Sequence, residues 1–377
     1  EERITPLVMD LDTWDICLVT SPAGTGKTAL LSQWYSAFSQ RQECEVFWIS
    51  LDANDASPLR FTQALVEAFS AYDPRFTEEV SSLQDPSDTE ALAITLVNCA
   101  DVGFADIEYV VVFLDGYERA VSPELDEMIA FFNRYLADNV HLVVAGTYIP
   151  SALSDLAMEC DVLEFGVQDT RWDERRLGAL REQLGLALQD IDAIGSYDLA
   201  QTPQGLSFIR YALDRQTAAK PAAEILRDCC RRFFERELVE RISADDMELL
   251  ICASLLDTAS SELCDLLLET RDTASRFADL ESKNLFVTAA SEPDAWELAP
   301  QLRAYLRDLL LSRELPWLQK LAMKAGNWYR EQGDMARHGK YLAMGTDPFY
   351  LESSVEGSTG LRRPPQATHH GTADTLY

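Results

Sequence analysis

The segment Ser21-Pro22-Ala23-Gly24-Thr25-Gly26-Lys27-Thr28 constrains this chain more than any other stretch of it. The phosphate-binding loop pattern is G-x-x-x-x-G-K-[ST]. Ser21 stands where the first glycine would be, while Gly26, Lys27 and Thr28 keep their places. An apolar run at Ile16 to Thr20 reads as a strand entering the loop. Residues 27 to 40 carry Leu30, Trp34 and Phe38 at i, i+4, i+8, which reads as a helix leaving it. Gly24 and Gly26 let the backbone turn its N–H groups inward around a phosphate, with Ala23 and Thr25 completing the wrap. The helix start aims a partial positive charge at the same point. In such a loop Lys27 reaches the β- and γ-phosphates and Thr28 offers its hydroxyl to Mg²⁺. The blander reading is a glycine-rich turn. It gives lysine and threonine no packing reason to follow the glycine directly.

A loop of this kind needs a second Mg²⁺ partner at the end of another strand. Tyr109-Val110-Val111-Val112-Phe113-Leu114-Asp115 supplies one, an apolar run ending in a single carboxylate. Asp115 is therefore expected at the carboxyl edge of the sheet, beside Thr28. The competing reading is an aspartate that merely ends a strand. Hydrolysis also wants a base that orients water, and the position after Asp115 is Gly116. Glu118 is the nearest acid available, although a solvated turn residue is the plainer reading of it. ATP binding is supported by these residues; hydrolysis is not.

The first 170 residues alternate short β-rich runs with helical patterns. Candidate strands are Ile16 to Thr20, Val46 to Ser50, Tyr109 to Asp115, Val140 to Gly146 and Asp161 to Val167. They are apolar on both faces, as buried parallel strands are. Ser57-Pro58 and Ser122-Pro123 each place a cap residue before a proline at the first helical position. The faces that follow read Phe61, Leu65, Phe69 and Met128, Phe131, Phe132, Tyr135. This is the outline of an α/β fold, a P-loop NTPase parallel sheet spanning 1–170. Beyond it the pattern turns helical: 171–243 reads as a helical domain, with helices at 172–185, 205–214 and 221–241. Residues 244–314 read as three helices and a hairpin, a winged-helix-like unit. Residues 315–350 read as the start of helical repeats, since one helix pair cannot bury its own face. The stretch 351–377, rich in Ser, Thr, Gly, Pro and His, reads as a disordered, solvated tail rather than a metal site at His369-His370.

Length and charge narrow the function classes. At roughly 150 residues per domain, 377 residues imply two or three domains. The 63 acidic residues against 32 basic ones leave a net charge of −31, which argues against broad electrostatic binding to nucleic acid. No apolar run approaches the ~18 residues of a spanning helix, so no membrane insertion is expected. The eight cysteines lack Cys-x-x-Cys spacing and several lie in apolar stretches. They read as reduced core residues of a cytosolic protein rather than disulfides or zinc ligands. The chain opens Glu1-Glu2-Arg3, without methionine or signal peptide, and is expected to be a fragment.

Taken in order along the chain, these motifs resemble the signal-transduction ATPases with numerous domains. Within that class the chain is similar to the large LuxR-type transcriptional regulators related to the maltose-regulon activator. Pro22-Ala23-Gly24-Thr25-Gly26-Lys27-Thr28 fits their A-P-A-G-x-G-K-T loop, which lacks the first glycine. Phe47-Trp48-Ile49-Ser50-Leu51-Asp52, then Asp55, Pro58, Arg60 and Phe61, match their W-x-S-L-D…D-x-x-P-x-R-F stretch. Leu280-Glu281-Ser282-Lys283-Asn284-Leu285-Phe286 resembles L-x-x-x-N-L-F. Ala325-Gly326-Asn327-Trp328-Tyr329-Arg330-Glu331-Gln332-Gly333 resembles the opening of their helical repeats. The resemblance spans about residues 3 to 347.

It implies a nucleotide switch: an ATP form that signals and self-associates, a closed ADP form, repeats that sense a small-molecule or protein inducer, and DNA binding through a C-terminal helix-turn-helix absent here. The winged-helix-like unit is not that reader, because Arg276 and Lys283 stand among Asp272, Asp279 and Glu281. Four departures touch the phosphates in the family. Asp115-Gly116 replaces two acids, and Thr147 replaces an arginine. Gln201-Thr202-Pro203 keeps only the proline of a Gly-Trp-Pro stretch, which makes Pro203 a nucleotide-site candidate by resemblance. Ala299 replaces a histidine. Losses of this kind imply slow cycling at best. The leading expectation is an ATP/ADP- and Mg²⁺-binding signalling module. Its competitors are a pseudo-ATPase scaffold and, with less support, another P-loop kinase or motor.

Overall fold

The computed structural model describes residues 4–81, 88–149, 153, 155–158, 160–170, 172–194, 199–239, 241–347 and 350; the tail expected at 351–377 lies outside them. Contacts divide the chain into two compact units. The first is Glu1–Asp173 with the short segment Ser282–Leu285; the second is Glu174–Glu281 with Phe286–Tyr377.

The first unit is built on five parallel strands: β1 Ile16–Thr20, β2 Cys44–Ser50, β3 Tyr109–Asp115, β4 Val140–Gly146 and β5 Val162–Phe165. Their order across the sheet is β2-β3-β4-β1-β5. The strand feeding the phosphate loop, β1, thus lies one strand away from β3, with β4 paired to both. Side chains alternate between faces. Val110, Val112 and Leu114 of β3 join one core cluster, and Val111 and Phe113 join the other. The helices α1 Ile4–Val8 and α2 Lys27–Phe38 cover the second face, with Leu30, Leu31, Trp34 and Phe38 buried. The helices α3 Pro58–Ser70, α4 Arg75–Ser81, α5 Thr89–Gly103 and α6 Pro123–Tyr135 lie on the first. Both Ser-Pro starts open helices, at α3 and α6. On α6, however, Tyr135 does not join the core; it is exposed and packs at a tilt against Phe131. Residues so enclosed on both faces have no room for polar alternation, which is why the strands read as continuous apolar runs.

The second unit is helical. Helices run Glu174–Gln183, Leu188–Ile194, Pro203–Arg215 and Ala222–Phe234. The last ends in a π-helical turn, Glu235–Val239, so the single helix expected over 221–241 changes register at its end. The part expected to be winged-helix-like has the helices Ala244–Ser254, Ser261–Leu268 and Thr273–Ser282 and a small antiparallel sheet ordered β6 Ala259–Ser260, β8 Ala295–Leu298, β7 Val287–Ala289. A further helix, Pro300–Leu311, buries Leu302, Tyr305, Leu306 and Leu310, and the pair Leu315–Glu331 and Met335–Thr346 follows. Cys17, Cys44, Cys230, Cys252 and Cys264 are buried as packing residues, and burial pushes the Cys230 and Cys252 thiols up to about 12. No helix among the described residues is long and apolar enough to cross a membrane.

The first core is anchored by a cluster of rings. Phe69 lies 4.9 Å from Phe47, 5.3 Å from Phe76 and 5.2 Å from Phe104, and is 2% exposed. Phe69→Ala is expected to destabilise the first unit by about 3–5 kcal/mol, the usual cost of emptying a buried aromatic site. Urea unfolding followed by circular dichroism measures it; a loss below about 1 kcal/mol would mean the ring is not part of a packed core.

Candidate functional site

The loop leaves β1 at Thr20 and enters α2 at Lys27. Gly24 (φ +79°) and Gly26 (φ +100°) take left-handed backbone, which glycine adopts without strain. Gly26 caps α2, whose first N–H groups have no partner inside the helix. The loop is knotted by its own polar atoms. Ser21 Oγ and Thr25 Oγ1 are 2.7 Å apart, and Thr25 Oγ1 also lies 2.8 Å from the Pro22 carbonyl oxygen. The Lys27 ammonium donates to the carbonyl oxygens of Ser21 (2.5 Å) and Pro22 (3.2 Å). Ser21 is fully buried, so the position that departs from the glycine pattern serves as an internal strut for the loop. Ala23 is half-buried on the same loop.

Thr28 projects from the first turn of α2, and its hydroxyl donates to Asp115 Oδ2 at 2.9 Å. Asp115 ends β3, half-buried. Burial pushes its carboxyl up. The Thr28 hydrogen bond opposes that shift, Glu118 adds to it, and Lys27 and Arg119 weakly oppose it. An oxygen pair at this separation, on a desolvated carboxylate, matches the hard-oxygen donor set that suits Mg²⁺. Loop amides, Lys27, Thr28 and Asp115 thus suit a Mg²⁺-bound polyphosphate. Lys27 would exchange loop carbonyls for phosphate oxygens, and the metal would supply charge neutralisation.

Glu118 is not the solvated turn residue expected. Its side chain is only 6% exposed, and Oε2 accepts from the Thr147 backbone N–H at 3.1 Å. The turn Tyr117–Arg119 is pinned by fully buried Tyr117, whose hydroxyl donates to the Asp126 carboxylate, and this swings Glu118 inward towards the end of β4. Gly116 before it has φ +82°, a conformation poorly suited to an acidic side chain. The departure from a paired acid therefore has a backbone counterpart. Buried Thr147 also accepts from Asn284 Nδ2 at 2.8 Å, from the Ser282–Leu285 segment of this unit.

The structure brings Ala23, Gly24, Thr25, Gly26, Lys27, Thr28, Asp115 and Glu118 into one unit. Pro203 belongs to the other, where it opens the helix Pro203–Arg215 behind a Thr202 cap. One neighbour of the loop escaped sequence reasoning. The Trp172 indole lies against Gly26, with Nε1 2.6 Å from where a Cβ would stand. A lone tryptophan among charged residues carries no periodic signal that would have singled it out.

Comparison with known proteins agrees with the order of motifs. The MalT winged helix domain model matches residues 235–318. The chain is 23% identical over 337 residues to the HTH-type transcriptional regulator MalT of Cronobacter sakazakii, covering 86% of this chain. It is 22% identical over 334 residues, 85% of this chain, to MalT of Serratia proteamaculans. It spans 37% and 36% of the lengths of those relatives. Among solved structures, similarity extends to Cdc6p from Pyrobaculum aerophilum (TM-score 0.40, 16% identity, 82% of this chain and 93% of that one). It extends also to the Aeropyrum pernix Orc1 protein in complex with DNA (TM-score 0.41, 16% identity, 81% and 91%).

Because desolvation raises the Asp115 pKa in the folded protein, the folded state holds that proton to higher pH than the unfolded chain does. Stability from this group therefore falls as pH rises through the interval between the two values, and the ionised carboxylate is a net cost above it. Asp115→Asn keeps an acceptor for Thr28 and removes the charge. It is expected to raise the thermal midpoint of the metal- and nucleotide-free protein at neutral pH and to leave it nearly unchanged at acid pH. A lower midpoint at neutral pH would contradict this.

Proposed function

We infer, from the similarity to MalT-type regulators together with the loop geometry, that this chain is the nucleotide-binding switch module of a LuxR-type transcriptional regulator. Mg-ATP and ADP are its ligands. The single observation that carries the reading is the 2.9 Å approach of Thr28 to Asp115 at the open end of the loop. Two oxygen donors from distant parts of the sequence have little packing reason to meet there, and a magnesium between them and the phosphates supplies one.

In this reading Gly24 to Thr28 cradle the phosphates, Lys27 neutralises them, and Thr28 and Asp115 hold the metal. Pro203 remains a nucleotide-site candidate by family resemblance alone. Residues 1–170 form the nucleotide domain, 171–243 a helical domain, 244–314 the winged-helix-like domain, and 315–350 the opening of sensor repeats. Self-association in the ATP form and an inducer acting on the repeats follow from the family likeness. DNA contact would fall to a region of the longer relatives outside the matched stretch. The winged-helix helices offer no basic face: Arg276 pairs with Asp246 at 2.7 Å and Asp272 at 3.7 Å. The setting would be the cytoplasm.

Hydrolysis is slow in this account. Glu118, the candidate base expected from the sequence, is already tied to the Thr147 N–H, and Gly116 offers no carboxylate. The same two facts favour the second reading, a pseudo-ATPase scaffold that binds nucleotide without turning it over. Phosphate release that disappears in Asp115→Asn would exclude a pure scaffold.

Mg-ATP or Mg-ADP is expected to raise the thermal midpoint of the wild-type protein, and Lys27→Ala to abolish that rise while lowering the ligand-free midpoint modestly, because its two loop hydrogen bonds are lost. A wild-type midpoint indifferent to both nucleotides would overturn the proposal. Glu118→Gln is expected to change turnover while sparing nucleotide affinity; unchanged turnover would remove Glu118 from the catalytic role.

A further inference from the structure

We propose that Trp172 is a positioning residue that carries the state of the phosphate loop to the junction between the two units, a role that rests on the nucleotide-binding reading above. Three observations meet at this side chain.

The first is contact. The missing Cβ of Gly26 would fall 2.6 Å from Trp172 Nε1, 3.1 Å from Cε2 and 3.3 Å from Cζ2. The indole edge therefore uses space that exists only because residue 26 has no side chain. Gly26 is also the cap of α2 and the residue immediately before Lys27. The loop cannot reshape at Lys27 without moving the surface on which the indole rests.

The second is placement in the chain. β5 pairs with β1, the strand that feeds the loop, and Thr20 Oγ1 reaches the Phe165 carbonyl oxygen at 3.4 Å. After β5 the short helix Val167–Thr170 is fixed by Thr170 Oγ1 to Gly166 O (3.1 Å) and by the Gly166 N–H to Asp169 (3.0 Å). Trp172 comes two positions after Thr170. The first unit's main segment ends at Asp173, and the helix Glu174–Gln183 begins the second. A side chain resting on the phosphate loop is thus next to the first of the three covalent crossings between units, at residues 173 and 174.

The third is the reason for movement. Lys27 here spends its ammonium on two carbonyls of its own loop. A phosphate is a stronger, charged acceptor, so filling the loop withdraws Lys27 from Ser21 and Pro22. The Gly26 peptide shifts with it, and the indole edge that occupies the space beside Gly26 is displaced in turn. The displacement passes to residues 173 and 174 along a few covalent bonds, which makes Trp172 a two-position contact biased by the ligand.

Fluorine NMR on the full chain labelled with fluorotryptophan tests this. The chain has seven tryptophans, and Trp172→Phe assigns the relevant signal. Mg-ADP is expected to shift the Trp172 resonance more than the other six. Trypsin cleavage at Arg175 and Arg176 should change several-fold on adding Mg-ADP in wild type. In Trp172→Ala it should become indifferent to nucleotide while a fluorescent ADP analogue still binds. If Trp172→Ala fails to fold, Trp172→Phe decides, since the smaller ring leaves Gly26 free and should blunt the cleavage response. An unmoved Trp172 signal with the analogue bound, or a wild-type cleavage response in the folded variant, overturns the proposal and leaves nucleotide binding standing. Failure of the analogue to bind wild type overturns both.

Discussion

A carboxylate held half out of water at the end of an apolar strand organises this molecule. Asp115 follows five buried residues of β3, from Val110 to Leu114, and meets the Thr28 hydroxyl across 87 residues of sequence. Burial disfavours its charge, and a single neutral hydroxyl does not offset the loss of solvent. Such an arrangement is costly for stability alone. It would become intelligible in the proposed complex, where a divalent cation beside a polyphosphate would supply the charge that the protein withholds.

The loop shows the complementary economy. Its glycines open a concave run of amides, yet its one cation is turned inward on Ser21 and Pro22, and Ser21 and Thr25 brace each other. A phosphate bound there would have to compete with these internal bonds, which would couple its occupancy to loop shape. The strand order places β4 between the loop strand and the carboxylate strand, and the end of β4 holds Thr147 against Glu118. Asp115, the loop and Glu118 therefore all lie at one sheet edge, with Glu118 held by the Thr147 N–H.

Much of this was legible in the sequence for a physical reason. Strands covered on both faces read as unbroken apolar runs, and β1, β3 and β4 have the bounds those runs suggest. Serine before proline marked α3 and α6. The loop residues and Asp115 stood out because their chemistry has no packing explanation. Other features hid. The helix Pro300–Leu311 follows the strand β8 with only Ala299 between, so its Leu302, Leu306, Leu310 spacing was masked by the apolar run before it. The π turn at Glu235–Val239 adds no distinctive residue to a helical pattern. The inward swing of Glu118 depends on Tyr117 and Asp126, a contact that spacing does not announce. Trp172 finds Gly26 through strand pairing, across 146 residues, and tertiary contacts of that kind leave no local trace.

Calorimetric titration of ATP into the wild-type chain, with Mg²⁺ and again with the metal chelated, asks whether Thr28 and Asp115 hold a metal. Binding is expected to tighten with Mg²⁺, and that metal-dependent gain is expected to be lost in Asp115→Asn. Equal affinity with and without the metal in the wild type, or a gain that survives intact in Asp115→Asn, would contradict it.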